Sequence, residues 1–287
     1  MDRRTVFPGL WLPLLLVAPQ LALTVVFFLW PAVSAFQEAV TASDPFGTTT
    51  IFVGLANFGA LFSDPSYWAA VIRTVGFCAA VTAGAMGVGL GLAWFAAQNV
   101  AGQRWYRTLL IWPYAIAPAL SAIIWVFIAD PQIGLIGRHL GPHWDYALDG
   151  GQAMGLVIVA SAWKQVSYNF IFYLAALLAI PRSLMEAATL DGARGWRRFS
   201  GIAWPLLLPT SLFLMVVNLV YAAFDTFGTI YALTKGGPAG ATETLVVKVY
   251  EDGFIGNDIG GSAAQSVALM VLVIVLVSLQ FRLVRAR

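Results

Sequence analysis

Six apolar stretches dominate the sequence, at about 10–35, 68–97, 106–129, 153–180, 205–231 and 263–281. Each approaches or exceeds the roughly 20 residues that an α-helix needs to cross a bilayer. Only 10% of the 287 residues are Asp, Glu, Lys or Arg, too few to coat a water-facing globule of this size. A soluble enzyme, a nucleic-acid binder and a disordered chain are excluded on that ground. The pattern predicts an all-α integral membrane protein with six transmembrane helices. Arg3 and Arg4 precede the first stretch in the manner of a secretory signal. Its apolar run is longer than the roughly 7–15 residues of a signal-peptide core, so an uncleaved span is expected.

The basic residues set the orientation. Eleven of the 16 Lys and Arg fall on one side: Arg3, Arg4, Arg104, Arg107, Arg182, Arg194, Arg197, Arg198, Arg282, Arg285 and Arg287. The loops at 36–67, 130–152 and 232–262 hold three, namely Arg138, Lys235 and Lys248. The positive-inside rule then puts both termini in the cytoplasm. Residues 1–67 read as a first span with its outer loop. Residues 68–287 read as a five-span core, with a cytoplasmic loop at 181–204.

Several features carry local expectations. Gly87 and Gly91 form a small-xxx-small pair that lets helices approach closely. Pro113 and Pro118 are expected to kink the third span. Arg73 reads as a snorkelling anchor at the outer end of the second span. Cys78, the one cysteine, reads as a packed core thiol. No phosphate loop, nucleophile elbow or H-E-x-x-H occurs. His139 and His143 are four apart, but Gly141 and Pro142 intervene, so no metal site is expected. Nor is any catalytic residue or cofactor expected in this chain.

The most informative segment is "IPRSLMEAATLDGARGWRRFSGIAWPLLLP", residues 180–209. Pro181 ends the fourth span, and Ser183 and Glu186 fit the S-x-x-E capping box of a new helix. Leu184, Ala187, Ala188 and Leu190 give that helix an apolar side, and Gly192 suits a left-handed turn after it. Such an element is either an interfacial helix in the headgroups or a docking element for a soluble partner.

Glu186-Ala187-Ala188, then Gly192 and then Ile202 and Pro205 keep the spacing of the EAA loop of ABC importer permeases. Trp204 stands where that family usually has Leu, apolar for apolar. Further segments, among them "SDPFG" at 43–47, "WPYAIAPALSAIIWVF" at 112–127 and "NLVYAAFDTFGTIYALTKGGP" at 218–238, extend the likeness over nearly the whole chain. The chain thus resembles permeases of carbohydrate-type importers, and within them those that carry sn-glycerol 3-phosphate. The resemblance implies a type I ABC importer permease fold, a multi-pass place in the bacterial inner membrane and a heterodimer with a second, homologous permease. It implies two ATP-binding cassette subunits, which would bind ATP and Mg, and a periplasmic substrate-binding protein. It gives Glu186, Ala187, Ala188, Asp191, Gly192, Ile202 and Pro205 the role of coupling to the ATPase. The implied cargo is sn-glycerol 3-phosphate or glycerophosphodiesters, with a neutral sugar or oligosaccharide as the alternative.

A polar ligand needs a polar path. Ser161, Lys164, Gln165, Tyr168 and Phe172 fall on one face of the fourth span, and Asn218, Tyr221 and Asp225 on one face of the fifth. At about 1.5 Å per residue, Tyr168 and Asn218 lie at matched heights, roughly 18 and 20 Å from the cytoplasmic ends of their helices. Lys164, Gln165, Tyr168, Asn218, Tyr221 and Asp225 are the expected pathway residues. Three roles are open for Lys164: pairing with Asp225, snorkelling outward, or attracting an anionic ligand. An ion-coupled secondary transporter is the rival class. It needs coupling acids within its spans, where only Asp225 is found, and has no use for an EAA helix. A non-transporting scaffold has no reason to line facing helices with Asn, Tyr and Gln.

Overall fold

The computed structural model describes residues 11–43, 49–98, 103–141, 143–193 and 195–285. Arg3, Arg4, Arg194, Arg287 and residues 44–47 of the SDPFG segment lie outside the described residues. The chain forms two units, Met1–Asp64 with Val249–Ala268, and Pro65–Lys248 with Leu269–Arg287.

In the first unit, α1 (Trp11–Ala39) runs unbroken through a π turn at Val25–Leu29. Of its side chains only Ala39 is buried. Strands β1 (Thr41–Ser43) and β2 (Thr50–Phe52) follow, antiparallel, with Thr41 opposite Phe52 and Ser43 opposite Thr50. Helix α2 (Ala56–Ser63) comes next. Asn57 joins these pieces, its Nδ2 donating to the carbonyls of Ala39 at 3.0 Å and Thr41 at 2.9 Å. A Cβ on Gly260 would fall 2.5 Å from the Thr41 carbonyl oxygen, so the side-chain hydrogen is needed there. The Thr-rich, β-branched residues of this loop favour the two-stranded ribbon.

The second unit contains α3 (Pro65–Ala96), α4 (Gln103–Ala115), α5 (Pro118–Ala129) and α6 (Leu135–Leu140). It continues with α7 (Gly150–Leu178), α8 (Arg182–Leu190), α9 (Trp196–Asp225), α10 (Phe227–Thr234) and α11 (Leu245–Tyr250). Helix α12 (Ile259–Arg285) closes the chain. Four helices are long and apolar enough to cross a membrane alone: Trp11–Ala39, Pro65–Ala96, Trp196–Asp225 and Ile259–Arg282. The pairs Trp105–Ala115 with Leu120–Ala129, bent by 106°, and Gly150–Leu178 with Ser183–Leu190, bent by 75°, bring the total to six when each counts as one span. Pro113 and Pro118 thus break the third span outright rather than kinking it. The fifth begins at Trp196, so Arg197 and Arg198 belong to a helix and not to the preceding loop.

The core of this unit is the seam between α3 and α7. Tyr67, Ala70, Thr74, Phe77, Val81, Ala85, Gly89, Ala93 and Ala96 recur at intervals of three and four on α3 and are all buried. At its C-terminal end Ala93, Ala96, Phe170, Tyr173, Leu177, Ala203 and Leu207 share one apolar cluster. Cys78 is buried, as expected of a core thiol. The close approach is not made by Gly87 and Gly91, where an added Cβ would meet nothing within 4 Å. It is made by Gly89, two residues away and on another face, where a Cβ would sit 2.7 Å from the Cβ of Asn169 and 3.2 Å from the Phe170 nitrogen. Gly89→Val should therefore lower stability by about 1–3 kcal/mol through overpacking. Gly87→Ala should leave it unchanged. Thermal melting followed by size-exclusion chromatography separates the two, and equal melting points would refute the assignment of the seam.

A cavity between broken helices and a groove at the coupling helix

The break between α4 and α5 opens one wall of a cavity of about 760 Å³. Tyr114, Ala115, Ile116, Ala117 and Pro118 form that wall, Lys164, Gln165 and Tyr168 of α7 a second, and Val216, Val217, Val220, Tyr221 and Asp225 of α9 the third. Five of the six expected pathway residues meet here. Their spacing explains it: residues three and four apart share a helix face. Tyr114 packs on Tyr168 with ring centroids 5.5 Å apart, and Tyr168 on Phe172 at 4.7 Å. The Tyr221 hydroxyl donates to the Ser161 carbonyl at 3.3 Å. Among the described residues no ion pair joins Lys164 to Asp225, although both line the cavity. The direct pairing considered for Lys164 is therefore not formed, and Lys164 and Asp225 stand in the cavity lining without a salt bridge between them. The cavity can hold a polar solute among phenols, an amide, one cation and one carboxylate.

Asn218 does not belong to this lining. It is fully buried and forms a reciprocal amide pair with Asn169, each Nδ2 donating to the other's Oδ1 at 2.9 Å. Each Nδ2 also donates to a carbonyl one turn back, Gln165 at 2.8 Å and Leu214 at 2.7 Å. The physical reason is that a helix face is wider than a cavity wall: Tyr221 reaches the cavity, while Asn218 faces the neighbouring helix. Tyr114 was missed in sequence reading. Its signal was the nearby proline pair, since freed backbone in a span is tolerated where it lines a cavity.

Arg73 is held rather than snorkelling. Its Nη2 lies 3.2 Å from Glu243 Oε2 and its Nε donates to the Glu243 carbonyl at 3.0 Å, while Lys248 Nζ stands 3.9 Å from Glu243 Oε1.

At the other predicted site, α8 is a nine-residue helix. The capping box is not formed. Pro181 occupies the N-cap, so Ser183 sits inside the helix and makes no capping bond to the backbone. Proline stiffens the entry instead, its φ being fixed by the ring. The far end follows the expectation: Gly192 has φ +78°. Its N–H donates to the Thr189 carbonyl at 3.1 Å and the Ala193 N–H to Ala188 at 2.9 Å, the two bonds of a Schellman motif. Ala187, Ala188, Asp191, Ile202 and Pro205 line one groove of about 390 Å³ with Leu184, Gly201 and Leu206. Glu186 and Gly192 lie outside it, both exposed. Leu190 is 89% exposed, an apolar side chain presented to water unless something covers it.

Residues 87–287 match the family described as binding-protein-dependent transport system inner membrane component, and the chain belongs to that family: it is a multi-pass permease subunit of an ABC importer. Over 288 residues it is 56% identical to the sn-glycerol-3-phosphate transport system permease protein UgpA of Brucella abortus biovar 1 (strain 9-941), covering 99% of this chain and 98% of that one. It is 53% identical to UgpA of Escherichia coli O157:H7 over 287 residues, covering 99% and 97%. Its fold is that of a chain from a bacterial ABC transporter that imports the acidic polysaccharide alginate, with TM-score 0.83, 21% identity and 96% of both chains covered. A second structure of a bacterial alginate transporter, in complex with a periplasmic protein bound to alginate pentasaccharide, matches with TM-score 0.81 at 21% identity, covering 94% of this chain and 92% of that one.

Proposed function

We propose that this chain forms half of the membrane pathway of an ATP-driven importer for sn-glycerol 3-phosphate. A second permease supplies the other half. Two ATPase subunits bind the cytoplasmic face through α8, and a periplasmic binding protein delivers cargo to the outer face. Both termini are cytoplasmic on this reading, which the uneven Lys and Arg distribution supports. Full-length identity of 52–56% to permeases named for this solute carries the substrate reading. The cavity lining is consistent with it. Tyr and Gln side chains can exchange hydrogen bonds with hydroxyls, and Lys164 can attract a phosphate without the tight grip of an Arg fork. Weak, releasable contact suits a pathway. Glu186, Ala187, Ala188, Asp191, Gly192, Ile202 and Pro205 transmit cassette closure: Schellman termination makes α8 a short rigid rod, and its groove and exposed Leu190 offer a partner something to hold.

The test is uptake of labelled sn-glycerol 3-phosphate at low concentration, in cells with and without this gene and with other routes for it deleted. Loss of uptake on deletion, with competition by glycerophosphodiesters and none by maltose, is expected. Unchanged uptake would overturn the substrate and turn attention to neutral carbohydrates. Lys164→Gln should lower uptake about tenfold, the equivalent of one charge-assisted hydrogen bond. Its protein level in the membrane should not change. Full uptake by Lys164→Gln would remove the lysine from the pathway.

A further inference from the structure

Arg198 stands in the first turn of α9, three residues before the groove-lining Gly201. Among the described residues it forms no ion pair, and its Nε is buried without an acceptor. A buried donor left unpaired costs stability, so packing alone gives no reason for an arginine at this position. What faces its guanidinium is a ring. The Arg198 Cζ lies 5.8 Å from the Trp94 centroid, within the roughly 6 Å reach of a cation–π contact. Trp94 belongs to the last turn of α3. Phe199 meets the same indole edge-on, with centroids 5.0 Å apart, and also lies 5.3 Å from Trp196 and 6.3 Å from Trp204. Arg198 and Phe199 thus grip one side chain of α3 from the start of α9.

Phe199 opens a π turn, Phe199–Ala203, a wide turn of a kind frequent at functional sites. This turn has two faces. Gly201 and Ile202 line the groove with Ala187, Ala188 and Asp191 of the α8 segment. Ala203 is fully buried in the cluster that holds Ala93 and Ala96 of α3 with Phe170 and Tyr173 of α7. A displacement of α8 therefore reaches a segment that already holds α3, and α3 is locked to α7 by the close approach at Gly89. Farther along, α7 and α9 are joined by neutral hydrogen bonds, Asn169 to Asn218 at 2.9 Å and Tyr173 to Ser211 at 3.1 Å. Those two helices carry two of the three walls of the cavity. We infer that Arg198 and Phe199 clamp Trp94 so that movement of the coupling helix carries α3, α7 and α9 together. Arg198, Phe199 and Trp94 are then positioning residues for transport, an inference that rests on the reading of α8 as the docking element. Without the clamp, α9 pivots at its π turn and slides on α3, and cassette closure moves one cavity wall without the other.

The experiment measures uptake of labelled sn-glycerol 3-phosphate per ATP hydrolysed by the complete transporter in proteoliposomes, with its binding protein, and the melting point of each assembled variant. Trp94→Leu and Arg198→Gln should each lower uptake per ATP about fivefold, with ATPase activity near wild type. The melting point of Arg198→Gln should stay near wild type, since the change removes an unpaired buried donor along with the ring contact. Arg198→Lys and Trp94→Phe keep a cation over a ring and should stay within about twofold of wild type. The double variant Trp94→Leu, Arg198→Gln should be no worse than Trp94→Leu alone, because both changes break one contact. Normal uptake per ATP in assembled Arg198→Gln overturns the inference, and this variant serves even where Trp94→Leu does not assemble. A double variant whose loss is the product of the single losses overturns it too, as does an equal loss for Arg198→Lys and Arg198→Gln. Gly192→Val is the control. If it uncouples while the clamp variants do not, this inference alone fails; if all of them import normally, the reading of α8 as the docking element falls as well.

Discussion

A transporter carrying Gly192→Val should hydrolyse ATP and import almost nothing. Gly192 stands at φ +78°, where a residue with a Cβ pays roughly 1–2 kcal/mol. The strain is conformational alone, since an added Cβ would touch nothing within 4 Å. It is relieved by letting the turn leave the left-handed region, and that breaks both carbonyl contacts that end α8. The helix then frays where Asp191 joins the groove, and cassette motion is absorbed by the turn. Uptake should fall at least about tenfold, the worth of 1.4 kcal/mol or more, while basal ATPase of the assembled complex stays near wild type. Gly192→Asn should be milder, because Asn tolerates this conformation. Glu186→Lys should uncouple in the same way, by reversing charge on the exposed side of the rod. Normal uptake by the Val variant would detach α8 from coupling.

The second large effect concerns the buried amides. Asn169→Leu strands the Oδ1 of Asn218, and Asn218→Leu strands that of Asn169, each in a fully buried site. Either change should cost about 1–2 kcal/mol, in the range for a lost buried hydrogen bond between membrane helices. The double replacement should cost less than the sum, because nothing polar is then left unpaired; the coupling should reach at least about 0.5 kcal/mol. Melting curves of the four proteins give this cycle directly, and strict additivity would mean the pair is not acting as one unit. Uptake adds a readout that separates the amides from the cavity: Asn218→Leu should move stability and transport together, whereas Lys164→Gln moves transport alone.

These two sites also show what could be read from the chain itself. The spans were legible because a bilayer imposes a length on apolar runs. Gly192 was legible because one residue type suits one backbone conformation. The Ser183 box failed because an S-x-x-E pattern does not say where the helix begins, and Pro181 begins it two residues earlier. Gly87 and Gly91 satisfied a spacing rule that holds for whichever face meets a neighbour; only the packed helix shows that Ala85, Gly89 and Ala93 hold that place. Asn218 and Tyr221 share a face by periodicity, yet one turns to a helix and the other to a cavity. Arg73 finds Glu243 170 residues on, a pairing that no local pattern encodes.

Helix α1 has a wider consequence. Its 29 residues make a rod of about 43 Å at 1.5 Å per residue. Within its own unit it buries almost nothing. Its flanks form an apolar surface one membrane-spanning helix long, a face that lipid satisfies by itself and on which packing of small or shape-matched side chains, rather than hydrophobicity, would decide whether a second helix displaces the lipid.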